Sequence, residues 1–349
     1  MMPQTDQPGF ARTVLPGLAV ATGVAAGAWL VVLILGHLPP PVGQWPLSMM
    51  LLAILIGLAL SGVSARRPGW SAGLNLARGP ILKIAVALIG LRLSLVELGR
   101  LGIDALPLVI VVVLFGLLVT FILARAFGTE RRLATLLAVG TSICGASAIA
   151  AAAPGLRARS EEIGYAIACV ALIGLAATVL YPTLLTGLLD DPKDIGLVLG
   201  VAIHDTAQVT AAAVLHEEIS GAEGTLVAAT VAKLIRNAGM LVLIPAIVWL
   251  ASRRDGASAR VAPPLFIVAF ILLSGLRSIG DAVFGAEQST WAGFIQLAGH
   301  FSLFAFAMAM AALAMAIRPQ ELKTIGWKPA VAAVIAAFGM LAIALIWVS

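Results

Sequence analysis

Lys233, Arg236 and Asn237 stand near the middle of an otherwise apolar run, residues 224–251. A charge at membrane depth costs about 3 kcal/mol even on the mildest insertion scale, so its presence marks a site by default. At spacings of three and four the three residues share one helix face. Two cations and an amide on one face suggest a cavity for an anion. The plainer reading is a structural ion pair with Asp205. Lys83 and Arg92 also lie in apolar surroundings. Either could assist, or reach the headgroups along its aliphatic stem.

Two polar-centred stretches carry the remaining chemistry. Residues 139–154 read V-G-T-S-I-C-G-A-S-A-I-A-A-A-A-P, inside a charge-free run from 133 to 156. Thr141, Ser142, Cys144, Gly145 and Ser147 leave that run with little apolar bulk. Broken backbone at membrane depth survives only when buried in protein or lining a cavity. Segments of this composition build midplane sites in transporters, and a half-helix N-terminus favours anions. Small residues also permit plain helix–helix contact. Sixty residues on, 200–213 read G-V-A-I-H-D-T-A-Q-V-T-A-A-A. Gly140 aligns with Gly200, Ile143 with Ile203, Cys144 with His204, and Gly145 with Asp205. This suggests an internal repeat, 131–190 against 191–250. His204 and Asp205 are candidate proton carriers, with Gln208 a further donor. Adjacent residues on a regular helix diverge by about 100°, so both can face one site only on unwound backbone.

These groups need an apolar frame, and the composition supplies one. Hydrophobic residues are 61% of the 349, charged residues 11%, and the mean hydropathy is +1.06. A soluble domain cannot hide that surface, so the fold class expected is an all-α polytopic membrane protein, one integral-membrane unit over 1–349. The net charge of +5 comes mainly from loop Lys and Arg and does not indicate nucleic-acid binding. Cys144 and Cys169 both fall in apolar segments, which argues against a disulfide. No metal-ligand cluster or cofactor motif occurs.

Spans are expected at 14–36, 47–63, 80–98, 104–125, 160–188, 224–251, 262–279, 289–316 and 329–348. The two polar-centred segments, 133–154 and 195–215, come in addition, giving 9–11 transmembrane helices. Residues 64–78 read as the longest polar loop. With Arg12 inside and both doubtful segments re-entrant, most basic loops fall on the cytoplasmic side and the C-terminus is periplasmic. Arg100, Lys193 and Arg277 are left outside. Re-entry of both segments would make the repeats inverted, an arrangement suited to alternating access.

The stretch at 140–151 (G-T-S-I-C-G-A-S-A-I-A-A), the I-H-D-x-A-Q-V of 203–209 and the K-x-x-R of 233–236 resemble the bacterial YeiH/TauZ family, for which sulfate export is inferred. The likeness extends over 81–95 and the G-W-K-P of 326–329, and covers most of the chain from about residue 47. It implies a secondary transporter of the bacterial inner membrane, with sulfate or a related sulfonate as substrate. In one place the chain departs from that pattern. Residues 269–281 carry only the separated Ser274 and Ser278, where the family favours a small polar pair, often Asn-Ser.

The expected function is therefore secondary active transport of a small oxyanion, without enzymatic activity and without a cofactor. Thr141, Ser142, Cys144, Gly145, Ser147, His204, Gln208, Lys233, Arg236 and Asn237 would bind substrate. His204 or Asp205 would carry the proton, if protons are the coupling ion. Partners would be the anion, the coupling ion and the bilayer, with homo-oligomerisation left open. The rivals are a cation/proton antiporter using Asp205, an anion channel, and an intramembrane hydrolase built from Ser142 or Cys144 with His204 and Asp205. No nucleophile-elbow or H-E-x-x-H pattern supports the last.

Overall fold

In a computed structural model, described over residues 10–37, 48–251, 265–285, 289–317 and 325–349, every regular element is helical. Arg253, Arg254, Arg260, Arg318 and Lys323, basic loop residues expected on the cytoplasmic side, lie outside the described residues, as does the start of the expected span 262–279. Among the described residues, eight helical stretches are long and apolar enough to cross a membrane. The chain is a polytopic helical membrane protein. It divides into two compact units, residues 1–85 with 300–317, and residues 86–299 with 318–349.

The first unit holds α1 (Phe10–Gly36), α2 (Met49–Ala59), α3 (Ser61–Ala65), α4 (Ser71–Leu76) and the start of α5 (Leu82–Ile89). The C-terminal part of α15 (Ser289–Ala316) belongs to it as well. Its helices approach closely at glycines. A Cβ at Gly57 would lie 2.6 Å from the Ala311 carbonyl, and one at Gly73 would strike the backbone of α1. Two sequence expectations fail here. The span 47–63 is instead α2 and α3, interrupted at Leu60, and α2 alone is too short to cross. Residues 64–78 are largely helical, because the apolar helical stretch runs from Pro68 to Arg92.

The second unit carries α6 (Leu95–Ala126), the broken pair α7 (Arg131–Ser142) and α8 (Ala146–Leu156), and α9 (Ser160–Thr186). A second broken pair follows, α10 (Pro192–Ala202) and α11 (Thr206–Ser220), then α12 (Thr225–Ala238) and α13 (Met240–Ala251). α14 (Leu265–Phe284), the start of α15 and α16 (Lys328–Val348) complete it. The expected span 80–98 is cut at Leu93, which is extended. Ser94 and Glu97 then form a capping box that starts α6. Ser274 and Ser278 hold this break: Ser274 Oγ donates to the Leu93 carbonyl at 2.7 Å, and Ser278 Oγ accepts from the Leu95 amide at 2.8 Å.

α6 shows how hydropathy sorts its faces. Leu114, Leu118 and Ile122 form an outward apolar stripe, whereas Leu108, Val112, Gly116 and Thr120 are buried. Apolar residues on both faces suit a helix between lipid and protein.

α10 and α12 approach through small residues. A Cβ at Gly196 would sit 2.5 Å from the Thr225 carbonyl, and one at Gly200 would sit 2.7 Å from the Ala229 carbonyl and the Ala232 Cβ. This is the small-xxx-small contact used between membrane helices. Gly200→Leu should therefore push α12 off α10 at a cost of about 3 kcal/mol or more. Thermal unfolding in detergent would read it, and an unchanged midpoint would show that α12 is not seated on Gly200.

Candidate functional site

The two breaks fall at the same place in each 60-residue stretch. α7 ends at Ile143, Gly145 begins α8, Ile203 ends α10 and Asp205 begins α11. Gly145 has φ +65° and ψ −131°, a conformation in which a Cβ is strained. Asp205 and Gln208 form the capping box of α11. Asp205 Oδ1 accepts from the Ala207 amide at 2.9 Å, and the Asp205 amide donates to Gln208 Oε1 at 3.3 Å. α8 has no such side-chain cap.

Breaking a helix orphans its last carbonyls. Those of α7 and α10 are taken by α12. Lys233 Nζ donates to the carbonyls of Ile143 at 3.2 Å, Ile203 at 2.9 Å and His204 at 2.5 Å. Three acceptors require three N–H groups, which only the ammonium form supplies. Arg236 donates from Nε to Ser142 at 2.6 Å and from Nη1 to Val201 and Ile203 at 2.8 Å each. Its Nη2 donates to Thr141. Both side chains are almost wholly buried, at 0% and 1% exposure. Positive charge at two helix C-termini also opposes their dipoles. The expectation that these cations project into an open anion cavity therefore changes. Every N–H of Lys233 is spent on backbone, and the pair ties the two broken helices together.

The close α10–α12 contact puts them there. Gly196 and Gly200 let Ala228, Ala229 and Ala232 sit against α10, and the next turn of α12 delivers Lys233 and Arg236 to the break. Asn237, one turn beyond Lys233, donates to Thr206 Oγ1 at 3.0 Å.

The other expected residues are distributed around this junction. Thr141 Oγ1, Ser142 Oγ, both ring nitrogens of His204, and Asn237 Oδ1 are buried without hydrogen-bond partners. Thr230 Oγ1, on the turn before Lys233 and missed in the sequence, joins them. Its spacing from Lys233 and Asn237, three and then four residues, was the available signal. Orphaned buried polar atoms are uncommon, and among the described residues all but Thr120 Oγ1 and Thr129 Oγ1 belong to the broken segments or to α12. Ser147 is exposed on the first turn of α8.

Asp205 is half-buried, and a Cβ at Gly145 would lie 3.0 Å from its Oδ2. Its carboxylate thus stands at the N-termini of α11 and α8 together. Two other residues are placed structurally. Gln208 Nε2 donates to the Ala171 carbonyl at 2.9 Å, and its amide occupies space that only Gly174 leaves on α9. Cys144 Sγ packs 3.8 Å from Met240 Sδ in an apolar cluster with Ile149 and Val170. The His204 ring bonds neither Asp205, Ser142 nor Cys144, so the nucleophile–base arrangement weighed above is not assembled. Among the described residues no three His, Cys, Asp or Glu side chains gather as a metal cage. The chemistry on offer is that of two helix N-termini, one carboxylate between them, and two cations behind.

A family model described as conserved hypothetical protein 698 matches residues 16–333. A UPF0324 membrane protein of Streptococcus agalactiae is 33% identical over 274 residues, 76% of this chain and 77% of its own length. The chain belongs to the UPF0324 membrane protein family. A UPF0324 member from Fusobacterium nucleatum is 32% identical over 291 residues, covering 79% and 83% of the two chains. Another, from Streptococcus pyogenes serotype M18, is 32% identical over 313 residues, 86% of each. The family-model match over 16–333 takes in both broken helices and α12, the whole of the junction.

Proposed function

We propose that this UPF0324 protein is a secondary active transporter that carries a small oxyanion, sulfate or a related sulfur anion or sulfonate, across the bacterial inner membrane. The observation that carries the reading is the meeting of two half-helix N-termini beside a junction that holds two buried cations and one carboxylate. Helix N-termini favour anions, and discontinuous helices facing each other are how membrane carriers build such sites. Substrate oxygens would meet the uncapped amides of α8 and the hydroxyl of Ser147. Lys233 and Arg236 add field from behind rather than direct contact. Asp205 occupies the same N-termini when ionised. Its protonation removes the competing charge, which couples proton and anion entry.

A cation/proton antiporter remains as the second reading. It is favoured by the Asp205 carboxylate together with the unpartnered oxygens of Thr141, Ser142, Thr230 and Asn237. Asp205→Asn separates the two in proteoliposomes loaded for radiolabelled sulfate flux with and without a pH gradient. Under the anion reading the variant keeps sulfate exchange and loses its pH dependence, because the competing charge is gone. An antiporter would instead lose cation-dependent proton movement, and sulfate would not move in wild type either. That second result would sink the oxyanion proposal.

A further inference from the structure

A polar cavity lies in the same unit, at the other end of the helices that lead to the junction. Its volume is about 500 Å³, and its lining includes Arg92, Arg100, Lys193 and Arg277 with Glu97, Glu217 and Glu223. α10 begins beside Lys193 and ends at Ile203, α11 runs from Asp205 to the turn of Glu217, and α12 starts at Gly224 and reaches Lys233. At 1.5 Å per residue, the ten residues from Lys193 to Ile203 span about 15 Å. Three consecutive helices therefore connect this cavity to the junction.

The charges in it are unequally spent. Glu97 Oε2 accepts from the Ser94 amide at 3.0 Å and from Ser94 Oγ at 2.8 Å, as the cap of α6. Glu217 Oε1 accepts from the amides of Gly224 at 3.1 Å and Leu226 at 2.9 Å, and its Oε2 pairs with Arg92 at 3.5 Å. Two of the three acids are thus committed to backbone donors at helix starts. Arg277 bonds Asp281 at 2.6 Å and the Leu91 carbonyl at 3.2 Å. Arg100 and Lys193 have no side-chain hydrogen bond or ion pair among the described residues. A guanidinium fork and an ammonium group with unspent donors, in a cleft with apolar walls, suit a small multivalent oxyanion.

We propose that this cavity is a receiving site for a divalent tetrahedral oxyanion, held by Arg100 and Lys193 and passed toward the junction. Its place in transport rests on the oxyanion reading above; binding itself does not. The same three residues that loop-charge counting left outside, Arg100, Lys193 and Arg277, meet here, which accounts for basic residues on a side that the positive-inside rule keeps poor in them.

The test compares wild type with the double variant Arg100→Gln/Lys193→Gln, probed with radiolabelled sulfate. Equilibrium binding to purified protein in detergent is read at low and at physiological salt, and flux is read in proteoliposomes. Binding at low salt should weaken about tenfold or more in the double variant, and its salt dependence should flatten as two exposed charges leave. In flux the KM for sulfate should rise while the maximal rate stays near wild type, and Arg100→Lys should restore much of the loss. Wild-type binding retained by the double variant would overturn the proposal, as would a wild-type protein that binds no sulfate. Binding that needs Arg100 and Lys193 in a protein without sulfate flux would keep this site and reject the oxyanion transport reading.

Discussion

Arg236→Met should cost the protein its fold. The substitution leaves the carbonyls of Thr141, Ser142 and Val201 without the guanidinium that binds them, in a place water does not reach. An orphaned buried acceptor costs about 1–3 kcal/mol, so three of them cost about 3–9 kcal/mol, comparable to a whole domain's stability. Lys233→Met orphans fewer, the carbonyls of Ile143 and His204, because Arg236 still holds Ile203. Its expected loss is about 2–6 kcal/mol. Arg236→Lys keeps the charge but offers three donors in place of five, and should fall between wild type and Arg236→Met. Size-exclusion behaviour and thermal unfolding in detergent would decide the matter. An Arg236→Met protein that stays monodisperse with an unchanged midpoint would mean the carbonyls are satisfied otherwise. The same expectation bears on transport assays, since lost flux in these variants would report a collapsed junction rather than a missing anion contact.

Gly145→Ala should disable transport with little harm to assembly. Its backbone, at φ +65° and ψ −131°, is one that L-residues enter at a cost of about 1–3 kcal/mol. The new Cβ would also stand 3.0 Å from Asp205 Oδ2, forcing the carboxylate away from the start of α8. A suitable control is Gly128→Ala, also at positive φ (+80°) but with open space around its missing Cβ. Both variants should lose similar stability, while transport falls about tenfold or more only in Gly145→Ala, where about 1.4 kcal/mol of misplacement suffices. Equal transport by the two would separate the α8 start from the substrate path.

The breaks themselves were legible. Gly145 against Asp205, at a constant offset of 60, marks two backbone interruptions because glycine and aspartate are residues that begin helices after a turn. Hydropathy found α9, α15 and α16 close to their observed limits, since each is a long apolar run. For α6 it gave a start at 104 where the helix begins at Leu95, because Glu97, Arg100 and Asp104 lower the average there. It misplaced the spans at 47–63 and 80–98, because a window average does not register a local interruption at Leu60 or the serines that hold Leu93 open.

Residue types and periods alone determined an all-helical membrane protein with two polar interruptions and a pair of cations on one helix face. Those features follow from local chemistry: apolar length, glycine freedom, and a spacing of three that sets two side chains together. Which groups the cations serve was decided only in the tertiary structure. Lys233 and Arg236 lie some 90 residues from Thr141, Ser142 and Ile143 in sequence, and the glycine–alanine contact of α10 with α12 is what brings them into reach. A long cation in an apolar run declares that it needs acceptors. Packing chose backbone carbonyls for Lys233 and Arg236, and left the donors of Arg100 and Lys193 unspent at the far end of the same helices.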